Sequence, residues 1–124
     1  MIADDHPVVR TGLRELFSRR PPLQVVGEAC NGVEAIVQAM VLQPDVIVMD
    51  VSMRRMNGIG ATREIHGTLP DMGIVGFSTH DDENTERLMR EAGAEAYFTK
   101  NEGTERLLDY LLSLVEKAKG SSAV

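Results

Sequence analysis

Residues 45–50, DVIVMD, place four consecutive apolar side chains between two aspartates. An apolar run of this length is typical of a parallel strand buried on both faces, and Asp50 marks the point where that strand reaches solvent. Other apolar runs end at polar residues in the same way: Ile2-Ala3 at Asp4-Asp5, IVGF at Ser78-Thr79, and AYFT at Lys100. Because open α/β sheets bind ligands at the carboxyl ends of their strands, we predict one shared site.

Amphipathic segments alternate with these runs. Residues 23–28, LQVVGE, predict one more strand, and apolar residues at helical spacing predict five helices. The predicted helices begin near Pro7, Asn31, Asn57, Asp82 and Thr104. Strands that alternate with helices indicate an α/β fold, a flavodoxin-like doubly wound parallel sheet of five strands in the order 2-1-3-4-5, or (βα)5. That order makes the first and third strands neighbours, which brings Asp4, Asp5 and Asp50 together.

The composition predicts one small domain. A chain of 124 residues with 43% hydrophobic content can bury a single core, which we assign to residues 1–119, with the Gly-Ser-rich residues 120–124 as a tail or linker. The first strand is so short that we expect it to begin upstream of Met1. The lone Cys30 excludes an intramolecular disulfide, and no apolar stretch approaches the roughly 20 residues of a membrane span. We therefore expect a cytoplasmic protein with no membrane partner.

The charge pattern limits the partners and suggests a cofactor. The net charge is -6 and the basic residues are dispersed, so we expect no direct DNA binding by this chain. Carboxylates as close as those predicted for Asp4, Asp5 and Asp50 repel one another unless a divalent cation neutralises them. The sequence therefore predicts a Mg²⁺ site, for which Mn²⁺ is a substitute.

Five segments in order carry a resemblance to a known family. They are IADDHPVVRTGLRELF, VVGEACNGVEAI, PDVIVMDVSMRRMNGIGATREI, IVGFSTHDDE and REAGAEAYFTK. Over essentially its whole length the chain resembles the receiver (CheY-like) domain of two-component response regulators, in particular the NarL/FixJ (LuxR-type) subfamily. The resemblance implies a phosphoacceptor signalling domain that catalyses its own phosphorylation and dephosphorylation, rather than an enzyme acting on a separate substrate.

The resemblance also implies the roles of the acidic residues. Asp50 would accept a phosphoryl group from the phosphohistidine of a histidine kinase or a phosphotransfer domain. Asp5, Asp50 and the backbone carbonyl of Ser52 would ligate Mg²⁺, and Asp4 would act through a water. Taken alone, Asp4 and Asp5 favour the simpler interpretation as caps of the helix that begins at Pro7, and the presence of Asp50 and Lys100 favours the site.

The other strand ends supply the remaining predicted site residues. Lys100 would provide positive charge, and Ser78, favoured over its neighbour Thr79, would donate a hydrogen bond to a phosphoryl oxygen. Tyr97 would turn inward as Ser78 moves, which would make it a switch residue. The simpler interpretations are a solvated lysine for Lys100 and an ordinary core aromatic for Tyr97.

Other functions and contexts stay open at this point. A haloacid-dehalogenase-like phosphatase needs a general acid two residues after its nucleophile, where this chain has Ser52. A flavodoxin-like cofactor binder needs a phosphate-binding loop where this chain has DDHPVV. A degenerate receiver would bind partners without phosphorylation. The parent protein is predicted to be a hybrid histidine kinase, which residues 76–100 favour, or a LuxR-type transcription regulator.

The last helix shows more apolar surface than one buried face requires. Leu107, Leu111 and Leu114 predict the face that packs on the sheet, and a second apolar stripe lies beside it, formed by Leu108, Leu112 and Val115. We interpret the second stripe as a contact surface for a homodimer mate or for a neighbouring domain.

Overall fold

The computed structural model of this chain describes residues 1–118 and 122–124. The strands are β1 (Ile2–Ala3), β2 (Leu23–Gln24), β3 (Glu28–Ala29), β4 (Val46–Met49), β5 (Gly73–Ser78), β6 (Ala96–Thr99) and β7 (Ser122–Ala123). The α-helices are α1 (Pro7–Ser18), α2 (Gly32–Leu42), α3 (Gly58–Thr68), α4 (Glu83–Ala92) and α5 (Glu105–Ala118), and Lys100–Glu102 form a short 3-10 turn. Within the described residues, no helix is long and apolar enough to cross a bilayer.

The main sheet confirms the predicted doubly wound topology. Its five parallel strands lie in the order β3-β1-β4-β5-β6. This is the predicted order 2-1-3-4-5, because the short strand β2 lies outside this sheet and raises the number of each later strand by one. The register pairs Ala3 with Met49, so the residues that follow these two strands leave the sheet side by side. The site residues are therefore placed by strand order.

The predicted second strand over residues 23–28 is wrong in its extent. Only Glu28–Ala29 join the main sheet, because their partner β1 has just two residues to pair with. Leu23–Gln24 instead pair in parallel with Ser122–Ala123 in a separate two-stranded sheet. The residues of the predicted tail that the structure describes, 122–124, are thus engaged in pairing, while residues 119–121 lie outside the described part of the chain.

Side chains that alternate along β4 divide the core into two layers. Val46 and Val48 face a layer that also contains residues of α1 and α5, such as Phe17 and Leu107. The layer on the other face holds Ile47 and Met49 with residues of α2, α3 and α4. Because both faces are covered, β4 is apolar throughout, as the sequence predicts for a central parallel strand.

The interpretation of the second stripe on the last helix is corrected by the structure. Leu108 is 4% exposed and Val115 is 6% exposed, and both pack within the core layer of this chain. Leu112 is partly buried against the same layer. The stripe is wider than usual because α5 packs beside α1 and the C-terminal Val124 as well as on the sheet, so Leu108 and Val115 offer no free surface to a mate.

We expect Leu108→Glu to destabilise the fold rather than to change the oligomeric state. The substitution buries a carboxylate without a partner and removes apolar contacts, which costs at least about 3 kcal/mol in the free energy of unfolding. Urea unfolding measures this. Val41→Glu is the matched control, because Val41 is 72% exposed and its substitution should change that energy by less than about 0.5 kcal/mol. Equal, small losses in both variants would contradict the assignment of Leu108 to the core.

Candidate functional site

Two buried carboxylates meet at the carboxyl edge of the sheet. Asp4 follows β1 and Asp50 follows β4, and the backbone N–H of Asp50 donates to the carbonyl of Ala3 at 2.9 Å, which aligns the two strand ends. Asp4 is 2% exposed and Asp50 is 3% exposed. Aspartates are rarely this buried without a compensating charge, so this edge is a specialised site.

Lys100 provides that charge. It follows β6 directly, and its Nζ lies 2.7 Å from Asp4 Oδ2 and 3.5 Å from Asp50 Oδ2. Lys100 therefore reaches from the end of β6, past β5, to the ends of the neighbouring strands β1 and β4.

The neighbouring Asp5 and His6 complete a group with the geometry of a cation site. One ligand atom from each of Asp4, Asp5, His6 and Asp50 lies within 4.8 Å of all the others. His6 Nδ1 lies 3.0 Å from Asp4 Oδ1 and 3.0 Å from Asp5 Oδ1. The second contact is not aligned as a hydrogen bond, and the buried Asp5 Oδ1 accepts none from the described residues.

These residues fit a hard divalent cation. Mg²⁺ prefers carboxylate and carbonyl oxygens, which is the donor set that Asp4, Asp5 and Asp50 present. The orphaned Asp5 Oδ1 is the specific sign, because a buried carboxylate oxygen without a donor is costly unless a cation satisfies it. Ser52, predicted to contribute its carbonyl, lies in the loop that leaves β4 close to Asp50.

Arg10 holds the acidic turn in place, a function that sequence reasoning missed. Its Nη1 donates to the backbone carbonyl of Asp4 at 2.6 Å, and its Nε lies 3.3 Å from Glu28 Oε1. Glu28 in turn forms an ion pair with Arg14. The available signal was the spacing of Arg10 and Arg14, which places both on one face of α1.

Gly58 is the second residue that sequence reasoning missed at this site. A Cβ at this position would lie 1.8 Å from the backbone oxygen of Asp50, so no other residue fits without moving the backbone. The N–H of Gly58 also donates to the carbonyl of Val51 at 2.7 Å. The glycine lets the start of α3 approach the end of β4 and fixes the loop that carries Ser52.

The two hydroxyl residues at the end of β5, Ser78 and Thr79, differ in how deeply they are buried. Ser78 is fully buried, and its Oγ accepts a hydrogen bond from the N–H of His80 at 3.2 Å, whereas Thr79 is exposed. Tyr97 is 8% exposed and donates from its hydroxyl to the carbonyl of His80 at 2.5 Å. The preference for Ser78 thus agrees with its buried position, and Tyr97 already points inward.

The electrostatics of the site act most strongly on Asp50. Burial raises the pKa of this carboxyl above its ordinary value, and the negative charge of Asp4 raises it further. The nearby Lys100 and a hydrogen bond from the N–H of Val51, at 2.8 Å, oppose the shift in the pKa without cancelling it. In the absence of a cation, ionised Asp50 is therefore less favourable in the folded chain than in the unfolded chain.

This raised pKa predicts how stability depends on pH. The folded chain binds the Asp50 proton more tightly than the unfolded chain, so this group favours folding below its unfolded pKa near 3.8, and that contribution is lost as pH rises through the higher folded pKa. With a chelator present, we expect Asp50→Asn to be more stable than the wild type at pH 7, with the difference shrinking on acidification. Urea unfolding between about pH 4 and pH 8 measures it. A difference that does not vary with pH would contradict this account.

A doubly wound sheet that brings three carboxylates and a lysine to one edge, beside a buried serine, defines a receiver-type signalling domain. The comparisons with known proteins agree. Residues 1–112 match the model of the response regulator receiver domain. The transcriptional regulatory protein YhcZ of Bacillus subtilis (strain 168) is 39% identical over 108 residues, which are 87% of this chain and 50% of that protein.

Two further comparisons agree with this assignment. The nitrate/nitrite response regulator protein NarL of Escherichia coli (strain K12) is 37% identical over 111 residues, 90% of this chain and 51% of that protein. A LuxR-family two-component response regulator from Aurantimonas sp. SI85-9A1 superposes with a TM-score of 0.88 at 34% identity, covering 100% of this chain and 86% of that one. The chain belongs to the response regulator receiver domain family. It spans about half the length of the curated relatives that it matches.

Proposed function

We propose that this chain accepts a phosphoryl group on Asp50 from a phosphohistidine and changes conformation in response. The observation that carries the proposal is the placement of Asp50, buried at the end of β4, 3.5 Å from Lys100 and within 4.8 Å of the ligand atoms of Asp4 and Asp5. In the transfer, the P–N bond of the donor breaks as a P–O bond to an Asp50 carboxylate oxygen forms. The donor imidazole nitrogen retains the electron pair. Later attack by water on phosphorus releases inorganic phosphate and restores the carboxylate.

The other residues hold the reacting groups and spread the charge. Asp5, Asp50 and the Ser52 carbonyl would hold Mg²⁺ or Mn²⁺, with Asp4 acting through a water, and the ion supplies charge that offsets the phosphoryl oxygens. Lys100 would shift from Asp4 towards a phosphoryl oxygen. This movement is short, because Lys100 Nζ already lies between the Asp4 and Asp50 carboxylates.

Ser78 and Tyr97 would couple the phosphoryl group to the rest of the chain. Ser78 is buried at the end of β5, and its hydroxyl already contacts the backbone of the following loop. Ser78 could donate to a phosphoryl oxygen while its Oγ still accepts from the N–H of His80, so a movement of the hydroxyl towards the phosphoryl group would draw the loop towards the site. Tyr97 donates to the carbonyl of His80 in the same loop, so the position of its ring is coupled to that of the loop and of Ser78.

The donor would be a histidine kinase or a phosphotransfer domain in the cytoplasm. A groove of about 440 Å³ lies beside the site, lined by Val9, Leu13 and Leu16 of α1 together with Phe77 and Lys100. Because Lys100 belongs to both the groove and the site, a donor helix seated there would bring its phosphohistidine close to Asp50. The named relatives include transcriptional regulators, which favours a LuxR-type regulator over a hybrid kinase as the parent protein.

Intact-mass measurement tests the proposal. The chain is incubated with acetyl phosphate and Mg²⁺, and with the same donor plus a chelator. We expect one phosphoryl group in the first case, removable by hydroxylamine as an acyl phosphate should be, and none in the second. No uptake from acetyl phosphate or phosphoramidate would overturn the proposal in favour of a degenerate receiver that acts by binding alone.

A further inference from the structure

Gly76 lies in the middle of β5, directly opposite Tyr97 in the ladder with β6. A Cβ built at this position would lie 2.4 Å from Tyr97 Cδ1 and 3.0 Å from Cε1. The first distance is shorter than carbon atoms tolerate, and both atoms belong to the aromatic ring rather than to a flexible chain end. The ring of Tyr97 therefore occupies the space that a side chain at position 76 would need.

A glycine in a strand interior weakens the strand, because it contributes no side-chain packing and loses much backbone entropy. Such a glycine often marks a place where another group approaches closely. Here the approaching group is the ring of Tyr97. The next nearest atom, Met89 Cε at 3.4 Å, is at an ordinary packing distance and does not require a glycine.

The inward ring has consequences for the site through the β5–α4 loop, residues 79–82. The Tyr97 hydroxyl donates to the carbonyl of His80, and the N–H of His80 donates to Ser78 Oγ. The imidazole of His80 reaches across the site, where its Nε2 lies 2.6 Å from Ser52 Oγ. The loop is thus tied to β6 on one side and to the loop that carries the Mg²⁺-site carbonyl of Ser52 on the other.

We propose that Gly76 is a positioning residue: it leaves the space that allows Tyr97 to lie inward and bind His80 before any phosphoryl group is attached, so that the β5–α4 loop is already drawn over the site at rest. The functional consequence rests on the proposed phosphorylation of Asp50. In a two-state switch, a ligand can shift only the population that is still outward. If Tyr97 is already inward, phosphorylation can change the position of its ring only slightly. A surface that includes the β5–α4 loop is then largely formed before phosphorylation.

The tyrosine content of the chain makes a direct test feasible. There are two tyrosines and no tryptophan, so Tyr110→Phe leaves Tyr97 as the sole strong fluorophore. Acrylamide quenching is measured on the unphosphorylated, metal-free chain in this background. We expect weak quenching, and a several-fold larger quenching constant after Gly76→Ala, because the methyl group displaces the ring into solvent. Gly67→Ala is the matched control, since a Cβ at position 67 meets nothing within 4 Å.

The ionisation of the Tyr97 hydroxyl provides a second measurement of whether the ring is buried. Burial raises the pKa of the Tyr97 hydroxyl above its ordinary value of 10.0. An absorbance titration of the Tyr110→Phe chain should show this raised pKa, and Gly76→Ala should return it towards the ordinary value. Quenching and titration curves that are the same with glycine and alanine at position 76 would overturn the proposal.

A double-mutant cycle covers the case in which Gly76→Ala folds poorly. Gly76→Ala, Tyr97→Ala and the double variant are compared by urea unfolding. We expect Gly76→Ala to lower the urea midpoint when Tyr97 is present and to leave it unchanged when residue 97 is alanine. An equal loss in both backgrounds would show that the ring is not the group that requires glycine, and the proposal would fail.

The outcome can be separated from that of the proposed function. The resting position of Tyr97 is measured without any donor, and we expect the same weak quenching in Asp50→Asn. A chain that takes up no phosphoryl group but buries Tyr97 would refute the function and leave the role of Gly76 intact. A chain that is phosphorylated on Asp50 but exposes Tyr97 at rest would do the reverse.

Discussion

Asp50→Asn should abolish uptake of the phosphoryl group from acetyl phosphate. Asparagine preserves the shape of the side chain and can accept the N–H of Val51 that now bonds to Asp50 Oδ1 at 2.8 Å, so the fold is retained. It lacks the carboxylate oxygen that attacks phosphorus. We expect uptake to fall below the detection limit of intact-mass measurement.

The matched control for this prediction is Asp71→Asn. Asp71 is exposed before β5, at the opposite end of the strand from Ser78, and its substitution should leave uptake and its Mg²⁺ dependence unchanged. Peptide mapping of the phosphorylated wild type should place the group on Asp50. Persistent uptake by Asp50→Asn on another carboxylate would show that the acceptor has been misassigned.

Lys100→Met should destabilise the metal-free chain by about 3 kcal/mol at pH 7, which is the order expected when one partner of a buried ion pair is removed. Asp4 and Asp50 are each nearly inaccessible, and among the described residues Lys100 is the cation that lies within 4 Å of both. Methionine keeps most of the aliphatic stem, so the loss reflects charge rather than packing. Protonation of one carboxylate would recover part of the energy, so the loss should be smaller at acid pH.

Saturating Mg²⁺ should remove much of this difference in stability. A divalent cation that binds the carboxylates replaces the missing positive charge, and binding to the folded chain alone adds to its stability. Urea unfolding of the wild type and Lys100→Met, each with chelator and with Mg²⁺, measures both effects. Lys117→Met, at an exposed position near the end of α5, is the control and should change the stability by less than about 0.5 kcal/mol. Equal losses for Lys100→Met with and without Mg²⁺ would show that charge compensation is not its main contribution.

Much of the site could be predicted because strand ends are visible in the sequence. An apolar run such as residues 46–49 must be buried on both faces, and the first charged residue after it must lie at the edge of the sheet. With the strand order confirmed, Asp4, Asp50, Ser78 and Lys100 share one edge by topology alone. These predictions succeed because they depend on hydrophobic periodicity and strand order, which tolerate errors of one or two residues.

The predictions that were wrong concern partners from distant parts of the chain. The stripe with Leu108 and Val115 has the same composition whether it faces a second molecule or, as here, α1 and the C-terminal residues. The extent of the second strand depended on the two-residue length of β1, and the pairing of Leu23–Gln24 with Ser122–Ala123 joins segments about a hundred residues apart. Local patterns carry no information on which of two apolar surfaces will cover a helix.

The sequence by itself determined the alternation of strands and helices, the acidic cluster and the lysine that opposes it, because burial forces polar residues to the strand ends wherever those ends lie. Only the tertiary structure decided the precise contacts around them. Arg10 donates a hydrogen bond to the carbonyl of Asp4. Gly58 lies against the backbone of Asp50, and the ring of Tyr97 occupies the space that a side chain at Gly76 would need. Each of these depends on a separation of a few ångströms between residues of different strands, helices or loops, and such separations are set by how these elements pack and not by the residues taken singly.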